Sequence, residues 1–173
     1  DGHIIIAGYY DGRLDVDPSN NDQYLEHIND RDAYVVKLDS DGALIWAIGL
    51  GGQEDNTISD IQVDEQGYIY VAGSFYGDID VDPGDEVLRF NSKGQTDVFI
   101  CKYHPNGQLV WAKEIGNHKY NFCKAFKIDV SGNIWISINF SQSIDCDPNE
   151  GVVNLESFND GYDFFLLKLN SEG

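Results

Sequence analysis

The dipeptide Asp-Pro occurs at Asp17-Pro18, Asp82-Pro83 and Asp147-Pro148, 65 residues apart each time, and this fixed period constrains the fold more than any local propensity does. Gly2, Gly67 and Gly132 keep the same step. So do Trp46 and Trp111, Asp32 and Asp97, Lys37 and Lys102, and Asp64 and Asp129; one extra residue enters the third copy ahead of Asp163 and Lys168. The 173 residues therefore hold about 2.7 copies, read as 1–66, 67–131 and 132–173. In such arrays each copy is one small unit whose apolar faces are covered by its neighbours.

Within a copy the pattern is that of strands. Tyr68 to Phe75 is rich in β-branched and aromatic residues and matches His3 to Tyr10 and Asn133 to Phe140. A second strand is predicted over Asp97–Tyr103, matching Asp32–Leu38 and Asp163–Leu169, and a third over Leu109–Glu114, matching Leu44–Gly49. Asp41-Gly42 and Asn106-Gly107 join these two as type I′ hairpin turns, because those residues accept positive φ. A fourth strand, Ile58–Asp64 and Phe122–Asp129, leads through Gly67 or Gly132 into the first of the next copy.

No helical segment is predicted. The expectation is an all-β fold of consecutive four-stranded antiparallel blades of a β-propeller, incomplete at the start of the first copy and truncated in the third. The length beyond a minimal blade lies between Gly77 and Thr96, where Val87-Leu88-Arg89-Phe90 is a candidate short strand. A ring closes with about four to eight blades, so further blades are expected from the same polypeptide or from neighbouring chains. The chain starts Asp-Gly-His and contains no Met, so both ends are expected to lie inside a longer polypeptide.

Eleven basic residues against 30 acidic ones give a net charge of −19, a field that repels phosphate backbones and anionic lipid. Neither nucleic acid nor a membrane surface is an expected partner, and no apolar run approaches the ~20 residues of a spanning helix. Such acidity suits a solvated surface, an extracellular module, a chelator of hard cations, or a protein adapted to salt.

The strongest ligand candidates are the pairs Asp15 and Asp17, Asp80 and Asp82, and Asp145 and Asp147. In extended backbone, residues i and i+2 project to one side, and calcium takes six to eight oxygens. Asp78, Asp85 and Glu86 could complete the middle site, with Asp11 or Asp22 and Glu150 near the others. The competing reading is that these Asp side chains cap turns ahead of a φ-fixing proline.

Asp32, Asp97 and Asp163 recur at the head of the second strand, with Asp64 and Asp129 where strands meet turns. Recurrence argues for a structural task, since a catalytic centre is built once. Cys101, Cys123 and Cys146 replace aliphatic residues of other copies and are expected to pack as small hydrophobes, with one disulfide left open. Trp46 and Trp111 share one repeat position and are expected to pack rather than to form a sugar platform. His3, His27, His104 and His118 do not recur, and no nucleophile elbow, P-loop or zinc-protease motif occurs. Asn139-Phe140-Ser141 fits a glycosylation acceptor inside a predicted strand.

Asp32-Ala33-Tyr34-Val35-Val36-Lys37-Leu38, Asp41 to Trp46, Gly51-Gly52, Ile61-Gln62-Val63-Asp64, Gly67 and Tyr70-Val71-Ala72-Gly73 resemble the bacterial β-propeller repeat labelled SBBP, over nearly the whole chain. The Asp-x-Asp-Pro insertion is similar to a variant found in large secreted proteins of Bacteroidetes-like bacteria. The resemblance implies a secreted or surface-attached propeller without established catalytic residues.

The expected function is a non-catalytic extracellular module that binds protein or glycan or serves as a surface scaffold, with calcium as a candidate stabilising ion. Two alternatives stand beside it: a fragment of a propeller lyase or glycan hydrolase with its site elsewhere, and an assembly or fibre subunit. A non-recurring cluster of Asp, His or Arg at the channel would favour the enzyme.

Overall fold

The computed structural model describes residues 2–27, 30–82, 84 and 87–173, and these form an all-β chain of antiparallel sheets. β1 (Ile4–Tyr10), β4 (Asp32–Leu38) and β5 (Leu44–Leu50) make a first sheet in the order β1-β4-β5, with β2 (Leu14–Asp15) and β3 (Tyr24–Leu25) as a small separate hairpin. β6 (Asn56–Val63), β7 (Ile69–Asp80), β8 (Arg89–Tyr103) and β9 (Leu109–Ile115) make a middle sheet in sequence order. The third sheet contains β10 (Phe122–Ile128), β11 (Ile134–Ser141) and β14 (Tyr162–Leu169), while β12 (Ser143–Asp145) pairs with β13 (Asn154–Glu156). Among the described residues one 3₁₀ turn, Phe158–Asp160, departs from the expectation of no helix.

The 65-residue step holds at the level of register. Ile4 pairs with Leu38, Ile69 with Tyr103, and Ile134 with Leu169, the last offset by the inserted residue. Lys37 faces Trp46 as Lys102 faces Trp111. Even the irregularities repeat, for β6 bulges between Ile58 and Asp60 and β10 between Cys123 and Ala125.

The sheets are offset from the sequence blocks: β6, which ends the 1–66 block, pairs with β7 of the next block, and β10 pairs with β11. Among the described residues only the middle sheet has four strands.

Side-chain alternation along each strand gives a sheet two faces, and the middle sheet buries both. Ile69, Val71, Phe99, Cys101 and Tyr103 pack with Ala33, Val35, Ile48 and Leu50 of the first sheet. On the opposite face Tyr70, Ala72, Val98 and Ile100 pack with Ile134, Ile136, Ile138 and Phe165 of the third. This two-sided burial explains why Val98-Phe99-Ile100-Cys101 reads as a continuous apolar run rather than an alternating one. Cys101 and Cys123 are buried, Cys146 is half-buried, and all three thiols are free, so the expectation of small buried hydrophobes holds for the first two.

The inserted segment behaves differently in the middle copy and in the outer two. In the middle copy it prolongs the hairpin of β7 and β8, with Asp78 opposite Asn91 and Asp80 opposite Arg89, so that of Val87-Leu88-Arg89-Phe90 only Arg89 and Phe90 are strand. In the outer copies it forms the detached pairs β2–β3 and β12–β13.

The hairpin turns correct another expectation. Gly42 donates to the Asp39 carbonyl and Gly107 to that of His104, and positive φ occurs at Gly42 (87°) and Gly107 (90°) but not at Asp41 or Asn106. The turns are therefore type I turns closed by a left-handed glycine, not type I′. Asp39 favours this form, because its Oδ1 accepts the backbone N–H groups of Asp41 and Ala43.

Candidate functional site

The recurring residues form a frame between sheets. Lys37 Nζ and Trp46 Nε1 both donate to the Pro105 carbonyl, at 2.8 and 3.0 Å. One repeat later Lys102 Nζ and Trp111 Nε1 donate to the Ser171 carbonyl, at 3.0 and 3.3 Å. The turn glycine beside each carbonyl lies flush on the indole, since a Cβ at Gly107 or Gly173 would stand 3.3 Å from the Trp46 or Trp111 ring. Trp46 and Trp111 are thus clasps onto the next sheet, in keeping with the packing role expected of them.

A second recurrence was not drawn from the sequence. Asn56 and Asn121, 65 residues apart, are fully buried, donate from Nδ2 to the carbonyls of Glu54 and Lys119, and take a backbone bond from N to the carbonyls of Arg31 and Thr96. Asn121 Nδ2 also reaches Asp97 Oδ1 at 3.2 Å. Asp97 is fully buried and accepts the Lys93 N–H, and a Cβ at Gly116 would collide with its carboxyl, as one at Gly51 would with Asp32. The step of 65 marks these asparagines and glycines in the sequence, but they have no chemical motif to draw attention.

Beside Asp97 lies Glu114, which takes the place of Gly49 in the first copy. Burial pushes the Glu114 carboxyl up to about 7 and raises Asp97 as well, and the neighbouring acid adds to the effect on Glu114. Glu114 shares a side-chain hydrogen bond with Asp97, while its buried Oε1 and the Asn121 Oδ1 find no hydrogen-bond partner among the described residues. A proton held on Glu114 relieves the repulsion between the two acids.

The non-recurring residues gather elsewhere. A cleft of about 700 Å³ opens where the heads of β4, β6 and β10 meet, lined by Asp30, Arg31, Glu54, Asp55, Ser59, Tyr76, Tyr120, Phe122 and Lys124 among others. Arg31 precedes β4 and Asp55 precedes β6, and they form a two-pronged pair: Nε to Oδ1 at 3.1 Å and Nη2 to Oδ2 at 2.5 Å. The guanidinium beside Asp55 holds its carboxyl below the usual range and lies 5.2 Å from the Tyr9 ring. Tyr120 and Phe122 stack nearly parallel, 7° apart with centroids at 6.0 Å, and Lys124 Nζ stands 5.0 Å from the Phe122 ring.

Repeat alignment sets this cleft apart from the frame. Arg31 corresponds to Thr96, Asp55 to Tyr120, Glu54 to Lys119, Thr57 to Phe122 and Ser59 to Lys124. By contrast, two smaller clefts between consecutive sheets, of about 400 and 480 Å³, are repeat-equivalent and are lined by Lys37 and Pro105 or by Lys102 and Ser171.

The predicted acidic pairs lie in turns away from the cleft. In each pair the first Asp accepts the amide of the second: Asp15 from Asp17, Asp80 from Asp82 and Asp145 from Asp147, all at 3.1 Å. The second Asp then accepts an amide two residues on, from Ser19, Gly84 or Asn149. Asp15 and Asp145 also accept Gln23 and Val153 N–H across their hairpins. Asp78, a proposed third ligand, is bound to Arg89 and to the Gln53 amide, whereas Asp85 and Glu86 lie outside the described residues. Among the described residues no three acidic, His or Cys side chains gather as a metal cluster.

Of the recurring acids, Asp64 and Asp129 cap their turns. Each Oδ1 takes two amides, from Gln66 and Tyr68 or from Ser131 and Asn133, and each Oδ2 takes the Tyr70 hydroxyl or the Trp135 indole N–H.

The chain is 22% identical over 120 residues to an uncharacterized WD repeat-containing protein, L264, of Acanthamoeba polyphaga mimivirus; the match covers 61% of this chain and 9% of that protein. No family model matches the chain, so the narrower resemblance to the SBBP repeat rests on its residues alone. Likeness to a WD repeat-containing protein, together with stacked antiparallel sheets in repeating register, supports a β-propeller-like repeat.

Proposed function

We propose that this chain is a run of β-propeller blades acting as a non-catalytic binding module, with the cleft between β4, β6 and β10 as its ligand face. The observation that carries the reading is the division of labour between positions. Residues that hold sheet to sheet recur at the 65-residue step, while those lining the cleft differ from copy to copy. Scaffolds that present a binding surface are built in this way.

The cleft also supplies the one observation in favour of an enzyme, a non-recurring set of Asp30, Arg31, Glu54 and Asp55. Binding accounts for it better. Asp55 is tied as an anion to Arg31, and the acid whose proton is held near neutrality, Glu114, does not line the cleft. Flat aromatic rings beside carboxylates and hydroxyls suit a sugar ring or a peptide segment bearing a cation. Display outside the cell, protein or glycan as ligand, and kinship with the SBBP repeat all belong to this proposal. The Asp-x-Asp-Pro turns we assign to chain geometry, because their carboxylates already bind backbone amides.

The test is binding of the labelled chain to glycan and peptide arrays, repeated with Tyr120→Ala and Asp55→Ala. Loss of the array signal in both variants, with Val130→Ser unchanged in the repeat-equivalent cleft, is the expected result. Undiminished binding by both cleft variants would sink the assignment.

A further inference from the structure

The cleft has two walls built on one plan. Asn56 follows Glu54 and Asp55 of the first wall, and Asn121, its counterpart 65 residues later, sits between Tyr120 and Phe122 of the second. Each asparagine is fully buried, and each donates its backbone N–H to the residue ahead of a recurring acid, Arg31 before Asp32 and Thr96 before Asp97. The second wall is held further. Asn121 Nδ2 reaches the Thr96 carbonyl at 3.1 Å, Asp97 Oδ1 at 3.2 Å and Asn117 Oδ1 at 3.0 Å. Asn117 Nδ2 in turn donates to the Ser141 and Ser143 carbonyls, both at 2.8 Å. Tyr120 is bridged to Thr96, so the run 117–122 hangs between β8 and the bend from β11 to β12.

Asp97 is the buried anchor of that run, and Glu114 is its titrating neighbour. The first copy has Gly49 in the place of Glu114, so the Asn56 wall has no second acid at this position. Burial is the largest influence on the Glu114 carboxyl and pushes it up to about 7; of the charges on it, both from β8, Lys93 lowers it and Asp97 raises it. On its own strand Lys113 Nζ is bound to Asn149 Oδ1 at 2.7 Å. His118, the other titratable side chain beside the pair, has Nδ1 2.9 Å from the Lys93 carbonyl.

We propose that the proton shared by Glu114 and Asp97 orders the Tyr120–Phe122 wall, so that the cleft binds its ligand best while the pair is protonated. With the proton in place the two acids carry one charge between them, and Asp97 accepts from Asn121 Nδ2 and from the Lys93 N–H. Without it two carboxylates repel each other away from full solvation, and the strain falls on the bonds from Asp97 that position Asn121 and, through it, Tyr120. Because the Glu114 carboxyl is raised from its ordinary 4.5, the restraint is complete below pH 4.5 and is lost as the pH rises through 7. The effect on binding rests on the cleft being the ligand face, as proposed above; the effect on the wall does not.

The first test therefore uses no ligand. The ring protons of Tyr120 and Phe122 are followed by NMR from pH 5 to 8 in the parent, Glu114→Gln, Glu114→Ala and His118→Gln, with exchange of the Asn121 amide as a second readout. In the parent both rings should shift along one titration with its midpoint near 7. Exchange at Asn121, corrected for its intrinsic dependence on pH, should quicken about tenfold across the range, a figure reduced for the half-buried carboxyl. Both Glu114 variants should abolish the titration, with Glu114→Gln fixed at the low-pH positions, and His118→Gln should leave it in place. Rings that stay still across the range, a titration that persists in both Glu114 variants, or one removed by His118→Gln would overturn the linkage. Glycan and peptide arrays probed at pH 5 and pH 8 complete the test, with the stronger signal expected at pH 5. Equal signals beside titrating rings would overturn the control of binding, whereas no signal at either pH beside titrating rings would remove the ligand face and keep the linkage of proton to wall.

Discussion

Replacing Lys102 by Met removes a donor from the clasp while keeping most of the apolar stem. Lys102 is 7% exposed, its ammonium lies 3.0 Å from the Ser171 carbonyl, and the ring centroid of Tyr68 is 4.6 Å away. A hydrogen bond to a charged group contributes roughly 1.5–3 kcal/mol and a shielded cation over an aromatic ring about 1 kcal/mol. Against these stands the relief of no longer burying an ammonium, and Trp111 still serves the carbonyl. The expected net loss is about 2 kcal/mol, read as a fall in Tm of roughly 4–8 °C for a chain of this size.

Lys124→Met is the control, since Lys124 is exposed above Phe122 and the change should cost less than about 0.5 kcal/mol. Lys37→Met should match Lys102→Met. In the double variant Lys102→Met with Trp111→Phe, the Ser171 carbonyl loses both donors, so the loss should exceed the sum of the singles by about 1 kcal/mol. Urea and thermal melts followed by circular dichroism measure all of these. A Lys102→Met protein as stable as the Lys124→Met control would refute the clasp.

Three further outcomes are expected. Because burial holds the Glu114 carboxyl near 7, above its ordinary 4.5, its contribution to stability is complete below pH 4.5 and is lost as the pH rises through 7; Glu114→Gln should flatten urea midpoints between pH 5 and 8, and an unchanged slope would count against it. Gly116→Ala, which drives a Cβ into the buried Asp97 carboxyl, should cost more than about 2 kcal/mol in urea melts, whereas Gly42→Ala, with open space but φ of 87°, should cost about 1 kcal/mol; equal losses would contradict the packing argument. Millimolar calcium should shift Tm by less than about 1 °C, since the Asp-x-Asp-Pro carboxylates already serve backbone amides, and a clear rise would restore the metal reading.

The sequence carried the local structure well, because strand, turn and period are written in residues close together. The equivalence of Ile4–Tyr10, Ile69–Phe75 and Ile134–Phe140 needed only alternation and a step of 65. The type I′ assignment failed because it weighed Asp41-Gly42 alone, whereas Asp39 two residues earlier selects the type I form through its own side chain. Cleft and clasp were hidden for a different reason: both depend on which strand heads and turns meet across sheets. Trp46 and Pro105 are 59 residues apart, and no local pattern brings them together. The buried partnership of Asp97 and Glu114 was equally unreadable, since Glu114 stands where the first copy has Gly49 and looks like an ordinary surface acid.

The offset between sequence blocks and sheets has a consequence for how such a chain comes apart. β6 and β10 each belong to one block by sequence and to the next by hydrogen bonding, so the polypeptide is stitched across every junction. Peeling away a single block would tear a strand out of the adjoining sheet and expose its ladder to water. Melting of adjacent blocks is thereby linked, and removal of a whole block keeps the stitch where the cut spans one full copy.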